Sequence, residues 1–122
     1  MSNPAMWNAI RRAVVASLLS IAASTASASA ASLFYFKGET RAPNERVCLR
    51  FALDQASRHN LQNIKHDNLG VGGTKGNFFV VMTCVGKVVV VVVAGDSGED
   101  GRPLAQELFD AVKGEVCIDA CN

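Results

Sequence analysis

At 122 residues, with 12 Lys plus Arg against 11 Asp plus Glu, the chain is small and nearly neutral, which excludes the strongly basic footprint of a nucleic-acid binder. Its hydrophobic fraction of 49% is enough for one modest core and too high for a disordered chain. Residues 31–87 hold 8 basic and 4 acidic side chains while residues 88–122 hold 2 and 7, a division that would suit head-to-tail contacts but reads more simply as two differently charged faces.

Residues 1 to 30 carry the pattern of an export signal. Arg11-Arg12 supply a positive start, Ala13 to Ala23 an apolar stretch, and Ala28-Ser29-Ala30 a small-residue cleavage site, with Ala26-Ser27-Ala28 as an earlier option. A retained anchor would need about 20 apolar residues, and the second half of this segment is Ser, Thr and Ala. Ala-Val-Val after the arginine pair also departs from the bulky pattern of a twin-arginine signal. Cleavage leaves residues 31–122 as a single domain, periplasmic or secreted and without membrane attachment. Loss of Arg11 and Arg12 takes the basic count from 12 to 10 against 11 acids, a net charge near −1.

Leu33-Phe34-Tyr35-Phe36, bounded by Lys37-Gly38, predicts a first strand. A helix follows from Pro43-Asn44, since Pro suits a first turn and Glu45 suits the positive end of the helix dipole. Cys48, Leu49, Ala52, Leu53 and Ala56 recur at helical spacing as its apolar stripe, and Asn60, tolerant of left-handed backbone, marks its end. The opposite face carries Arg46, Arg50, Asp54 and Arg58 at intervals of four. Such a row can hold an anion, but Asp54 stands one turn from both Arg50 and Arg58, so a solvated, ion-paired face is the expectation.

Residues 61 to 76 have the weakest pattern. Ile64, Leu69 and Val71 support one weak strand, and Gly70, Gly72, Gly73 and Gly76 a flexible turn. The glycine cluster hints at a phosphate loop, yet it lacks the G-x-x-x-x-G-K-[ST] spacing and a strand, not a helix N-terminus, follows it. Nucleotide binding is therefore not expected.

Asn77 to Gly95 organises the chain. Two apolar runs, Phe78 to Val85 and Val88 to Val93, are joined by Gly86-Lys87, the signature of a tight β-hairpin. Alternation places Phe78, Val80, Met82 and Cys84 on one face and Phe79, Val81, Thr83 and Val85 on the other. Both faces are apolar, unlike a sheet with one wet side. Helices of the same chain can cover one; the other needs a second chain, a ligand, or an open apolar surface. An exposed edge of six valines would invite aggregation, so that strand is expected either inside the sheet or with its edge shielded. Beyond it, Asp96 to Gly101 is turn chemistry, and Pro103 opens a second helix with Leu104, Ala105, Leu108, Phe109 and Val112 on one stripe, ending near Gly114.

The four cysteines, Cys48, Cys84, Cys117 and Cys121, form an even set that reads as disulfides in an oxidising compartment, with three pairings open. Cys48 on the sheet-facing stripe and Cys84 on a strand face suit a helix-to-sheet bridge, and Cys117 and Cys121 are near enough to pair with each other, so 48–84 with 117–121 is the preferred set. The competing use of these groups is metal or redox chemistry. His59 and His66 flank a loop, but no zinc spacing is present, and C-x3-C is not the C-x-x-C of thiol redox centres. No cofactor is expected. For catalysis there is no G-x-S-x-G, and Asp96, Glu99 and Asp100 sit in a glycine-rich turn where solvation explains them.

Cys48 in the first helix, the Gly73-Thr74-Lys75-Gly76 turn, the strand ending Thr83-Cys84-Val85 and the valine run closing on Ala94-Gly95-Asp96 together resemble small exported bacterial α+β domains over residues 47 to 96. The resemblance implies the Cys48–Cys84 bridge and the periplasm, and it carries no activity.

The expected architecture is an α+β two-layer sandwich: a mainly antiparallel sheet of three or four strands with two helices on one face, ordered β-α-(β)-β-β-α as a ferredoxin-like variant. The leading functional expectation is a non-enzymatic interaction module whose second sheet face, around Phe79, Val81 and Val85, meets a protein partner or another copy. The alternative is a small metal- or ligand-binding carrier using His59, His66 or the Cys117 and Cys121 thiols.

Overall fold

The computed structural model describes residues 32–96, 98–118 and 121; the expected export signal, residues 1 to 30, lies outside the described residues. The elements run β1 (Ser32–Glu39), α1 (Glu45–Arg58), β2 (Gln62–His66), β3 (Val71–Lys75), β4 (Phe78–Val85), β5 (Val88–Gly95) and α2 (Arg102–Gly114). The class is α+β, with five strands in the order β1-β5-β4-β3-β2, every neighbouring pair antiparallel.

Five strands replace the expected three or four because residues 61 to 76 form two strands and not one. Gly72 and Gly73 pair with Val81 and Val80 across the β3–β4 ladder, so the glycines are strand residues. A Cβ at Gly73 would stand 3.1 Å from the Gln62 carbonyl and 3.2 Å from the Leu61 side chain, so glycine lets buried Leu61 press onto the strand. Of the four glycines expected in a turn, only Gly70, in the 67–70 loop between β2 and β3, and Gly76, at φ +59° in the Gly76-Asn77 turn, lie in one. The element order β-α-β-β-β-β-α therefore differs from the β-α-β-β-α-β of a ferredoxin-like domain. β2 to β5 form a meander, and β1 adds to its far side.

The Phe78–Gly95 hairpin forms as its sequence predicts. Gly86 supplies the left-handed turn residue at φ +59°, a conformation disfavoured by a side chain. Register places Val80 opposite Val93, Met82 opposite Val91 and Cys84 opposite Val89, all on one buried face. The valine strand lies inside the sheet, between β1 and β4.

Both helices cover that face. α1 is started by Asn44, whose Oδ1 accepts from the Val47 N–H at 2.9 Å; Pro43 precedes the cap instead of entering the first turn. His59 caps its end and Asn60 turns left-handed at φ +57°. Its buried stripe is Val47, Cys48, Phe51, Ala52, Gln55 and Ala56, rotated from the expected one so that Leu49 and Leu53 are only half-buried. α2 buries Ala105, Leu108 and Val112 and touches β5, β1 and α1. Gly38 lets α2 close on the sheet, because a Cβ there would meet the Phe109 ring at 2.7 Å. That ring stacks on Phe36 at 5.7 Å.

The layers are tied by covalent and polar links. Cys48 bridges to Cys84 across 6.2 Å between Cα atoms, joining helix to sheet, whereas Cys117 bridges to Cys121 across 6.0 Å within the C-terminal tail. These bonds fit a non-reducing environment. The Gly86 N–H donates to Glu45 Oε2 at 2.9 Å, pinning the hairpin turn to the start of α1, and Lys75 Nζ donates to the His59 carbonyl at 2.8 Å at its end.

Candidate interaction face

Because strand side chains alternate, burying Val80, Met82, Cys84, Val89, Val91 and Val93 under the helices turns an equally apolar set outward. Phe79 pairs with Ala94, Val81 with Val92, Thr83 with Val90 and Val85 with Val88. On the other side of β5, Leu33 faces Ala94 and Tyr35 faces Val92. No described helix covers this surface: Phe79 is 68% exposed, Val81 50%, Val85 71%, Leu33 60% and Tyr35 61%. The valines of β5 between them are half-shielded by these neighbours alone.

Charge on this face is confined to its borders. Lys37 and Glu39 stand on β1, and Lys65, paired with Gly72, stands on β2. The central strands β5 and β4 present no charged side chain outward. Beside Phe79 and Val81 the face has a recess of about 300 Å³, where Gly72 provides the floor and Lys65 and Thr74 part of the wall. A Cβ at Gly72 would have nothing closer than 3.7 Å, so the backbone there is open toward the recess. The face thus carries a projecting aromatic ring and a glycine-floored hollow side by side.

Its edges are built differently. β2 has a register irregularity between Gln62 and Lys65, with Asn63 at φ +53°, a break that blunts an edge against strand pairing. β1 ends in charged Lys37 and Glu39. Addition of a foreign strand is thus discouraged at both edges, while the broad face has no such protection.

The chain matches no protein-family model, no curated protein and no solved structure.

The histidines named from the sequence serve separate surroundings. His59 is held at the end of α1, with Nδ1 2.9 Å from the Gln55 carbonyl and Nε2 3.5 Å from Glu107 Oε1. His66 is exposed on β2 and lines a cavity against α1. Among the described residues no group of three or more His, Cys, Asp or Glu side chains is placed to hold a metal, and all four cysteines are in disulfides. No helix among them is long and apolar enough to cross a membrane.

Sequence reasoning missed Leu33 and Tyr35 as members of the face, although the β1 alternation carries the signal once the strand is extended from Ser32 to Glu39. It also missed Glu115, which lies against α1 where Gln55 Nε2 donates to its Oε2 at 2.8 Å. Burial and the neighbouring Asp54 carboxylate raise the Glu115 pKa above its ordinary value, against the opposing pull of the Gln55 hydrogen bond.

Proposed function

We propose that this domain is an exported, disulfide-stapled, non-enzymatic interaction module whose open sheet face stacks on the same face of a second copy. The observation that carries this reading is an exposed apolar centre, from Tyr35 and Leu33 through β5 to Phe79, Val81 and Val85, ringed by charges only at the border strands. An apolar core with a polar rim is the anatomy of a protein interface, and isolated monomers rarely expose so continuous an apolar patch.

Size agrees with a dimer. Five strands of up to eight residues make a face of roughly 500 to 600 Å² in projection, and its side-chain relief raises the accessible area toward the ~800 Å² per partner of a standard interface. Two sheets stacked about 10 Å apart would bury this relief as a sandwich core does. A second copy suits the surface because a two-fold contact needs knob and hollow on one patch, as Phe79 and the Gly72 recess are. The border charges, two lysines and a glutamate, select no strongly charged partner.

Val81→Asp tests the reading. Val81 is half-exposed, so a carboxylate there stays hydrated in the single chain but is desolvated, unpaired, in the stacked pair. Native mass spectrometry of the disulfide-bonded protein is expected to find pairs for the parent and for Ser57→Asp, an exposed position on α1, and folded single chains for Val81→Asp. Single chains of the parent, or pairs that survive Val81→Asp, overturn the proposal.

A further inference from the structure

On the helix side of the sheet a second feature stands apart from the open face. A cavity of about 610 Å³ lies between α1 and the β2–β3 connection, with Leu49, Leu53 and Val71 as its apolar lining, Arg46, Arg50 and His66 at its border, and the carboxylates Glu45 and Asp67 and the Asn68 amide also on its wall. Its volume falls within the roughly 300 to 1,000 Å³ of small-molecule sites. The rotation of the α1 stripe creates it: with Val47, Phe51 and Gln55 turned into the core, Leu49 and Leu53 face sideways and form an apolar wall with buried Val71.

The charges around it are unevenly committed. Asp54 is engaged by Arg58 at 3.0 Å, so it does not neutralise Arg50. Glu45 accepts from the Gly86 N–H, and Asp67 Oδ1 accepts from the Leu69 and Gly70 N–H groups, at 2.8 and 3.1 Å, to close its own loop. Among the described residues Arg46 and Arg50 have no ion-pair partner. Two guanidinium forks one turn apart therefore border an apolar hollow, and the His66 imidazole stands across it.

We infer that this cavity is a binding site for a small amphipathic carboxylate, an alkyl or aryl acid whose apolar body lies on Leu49, Leu53 and Val71 and whose head is held by Arg46 and Arg50. Guanidinium recognises carboxylate through two parallel N–H···O bonds. A bare inorganic anion would leave the apolar wall unused, and a neutral chain would leave the arginines without a partner. The inference does not depend on the open face pairing with a second copy.

Decanoate is the probe, at concentrations below its self-association, with decanol and inorganic phosphate as the uncharged and the purely anionic comparisons. In two-dimensional amide NMR, decanoate is expected to shift the signals of Leu49, Leu53, His66 and Val71. Arg46→Gln with Arg50→Gln, both exposed positions, is expected to keep the folded spectrum and to weaken decanoate about tenfold to a hundredfold, the worth of hydrogen bonds to a charged group. Decanol is expected to bind the parent as weakly as decanoate binds the double variant. Equal affinity for decanoate and decanol, phosphate binding as tight as decanoate, shifts confined to the Phe79 and Val81 face, or no binding would each overturn the inference. Because the oligomer is read separately by mass, a failure here is distinct from a failure of the pairing reading.

Discussion

Glu115 illustrates how a single side chain in the tail reports on packing. Its carboxylate lies against α1, close to Asp54, and accepts a hydrogen bond from buried Gln55. Because burial raises its folded pKa above the unfolded one, the protonated form is the better fit to the fold. Its contribution to stability is thus full below the unfolded pKa and is lost as pH rises through the folded pKa. Glu115→Gln keeps an oxygen to accept from Gln55 and removes the charge. The variant is expected to be at least as stable as the parent at neutral pH, with the difference closing as pH falls through the raised carboxyl pKa. Urea unfolding followed by circular dichroism across that acid range measures it. A variant less stable than the parent at neutral pH would show that the ionised carboxylate is the form the fold prefers.

At the scale of elements, the Cys48–Cys84 bridge ties α1 to the central hairpin. It closes a separation of 36 residues, for which the chain-entropy account gives roughly 3 to 4 kcal/mol, against about 2 kcal/mol for the short Cys117–Cys121 ring. Cys48→Ala with Cys84→Ala is expected to lower the unfolding free energy by about 2 to 5 kcal/mol, and the matching change at Cys117 and Cys121 by clearly less. Denaturant midpoints of the two double variants decide the order; the reverse order would place the main tie in the tail. The hairpin, both helices and this bridge were legible because each rests on a local signal: a Gly-Lys link between apolar runs, Pro43-Asn44 with Glu45 and Pro103 near the helix starts, and a cysteine on an inward stripe. β2 and β3 were legible only as one weak strand, because Gly72 and Gly73 hold strand geometry through their partners Val81 and Val80 and the press of Leu61. The orientation of α1 was likewise hidden. Phe51 and Gln55 are drawn inward by the sheet, α2 and the tail, which no spacing within the helix encodes. The groove beside Leu49 and Leu53 arises from that rotation, so its sequence signal was only an arginine row in which Asp54 stands one turn from Arg50 and Arg58.

At the largest scale, the described domain has two unlike sides. One is a dense layer in which the helices bury Met82, Leu108 and the inward valines, and the other is a largely apolar sheet surface that no described helix covers. That asymmetry was foreseeable from the hairpin alone, since both faces of Phe78 to Val85 are apolar and two helices cover only one. What the alternation could not give was the breadth of the face, set by β1 pairing along β5 and bringing Leu33 and Tyr35 into line with Phe79 and Val81. With edges blunted by an irregular β2 and a charged β1, the face itself is the surface left for association. Sedimentation velocity of the disulfide-bonded protein over a dilution series tests this most directly. The account predicts a sedimentation coefficient that moves from two chains to one on dilution, with added salt leaving the midpoint nearly unchanged because the buried centre is uncharged. A one-chain coefficient at every concentration, or an association abolished by salt, would contradict it.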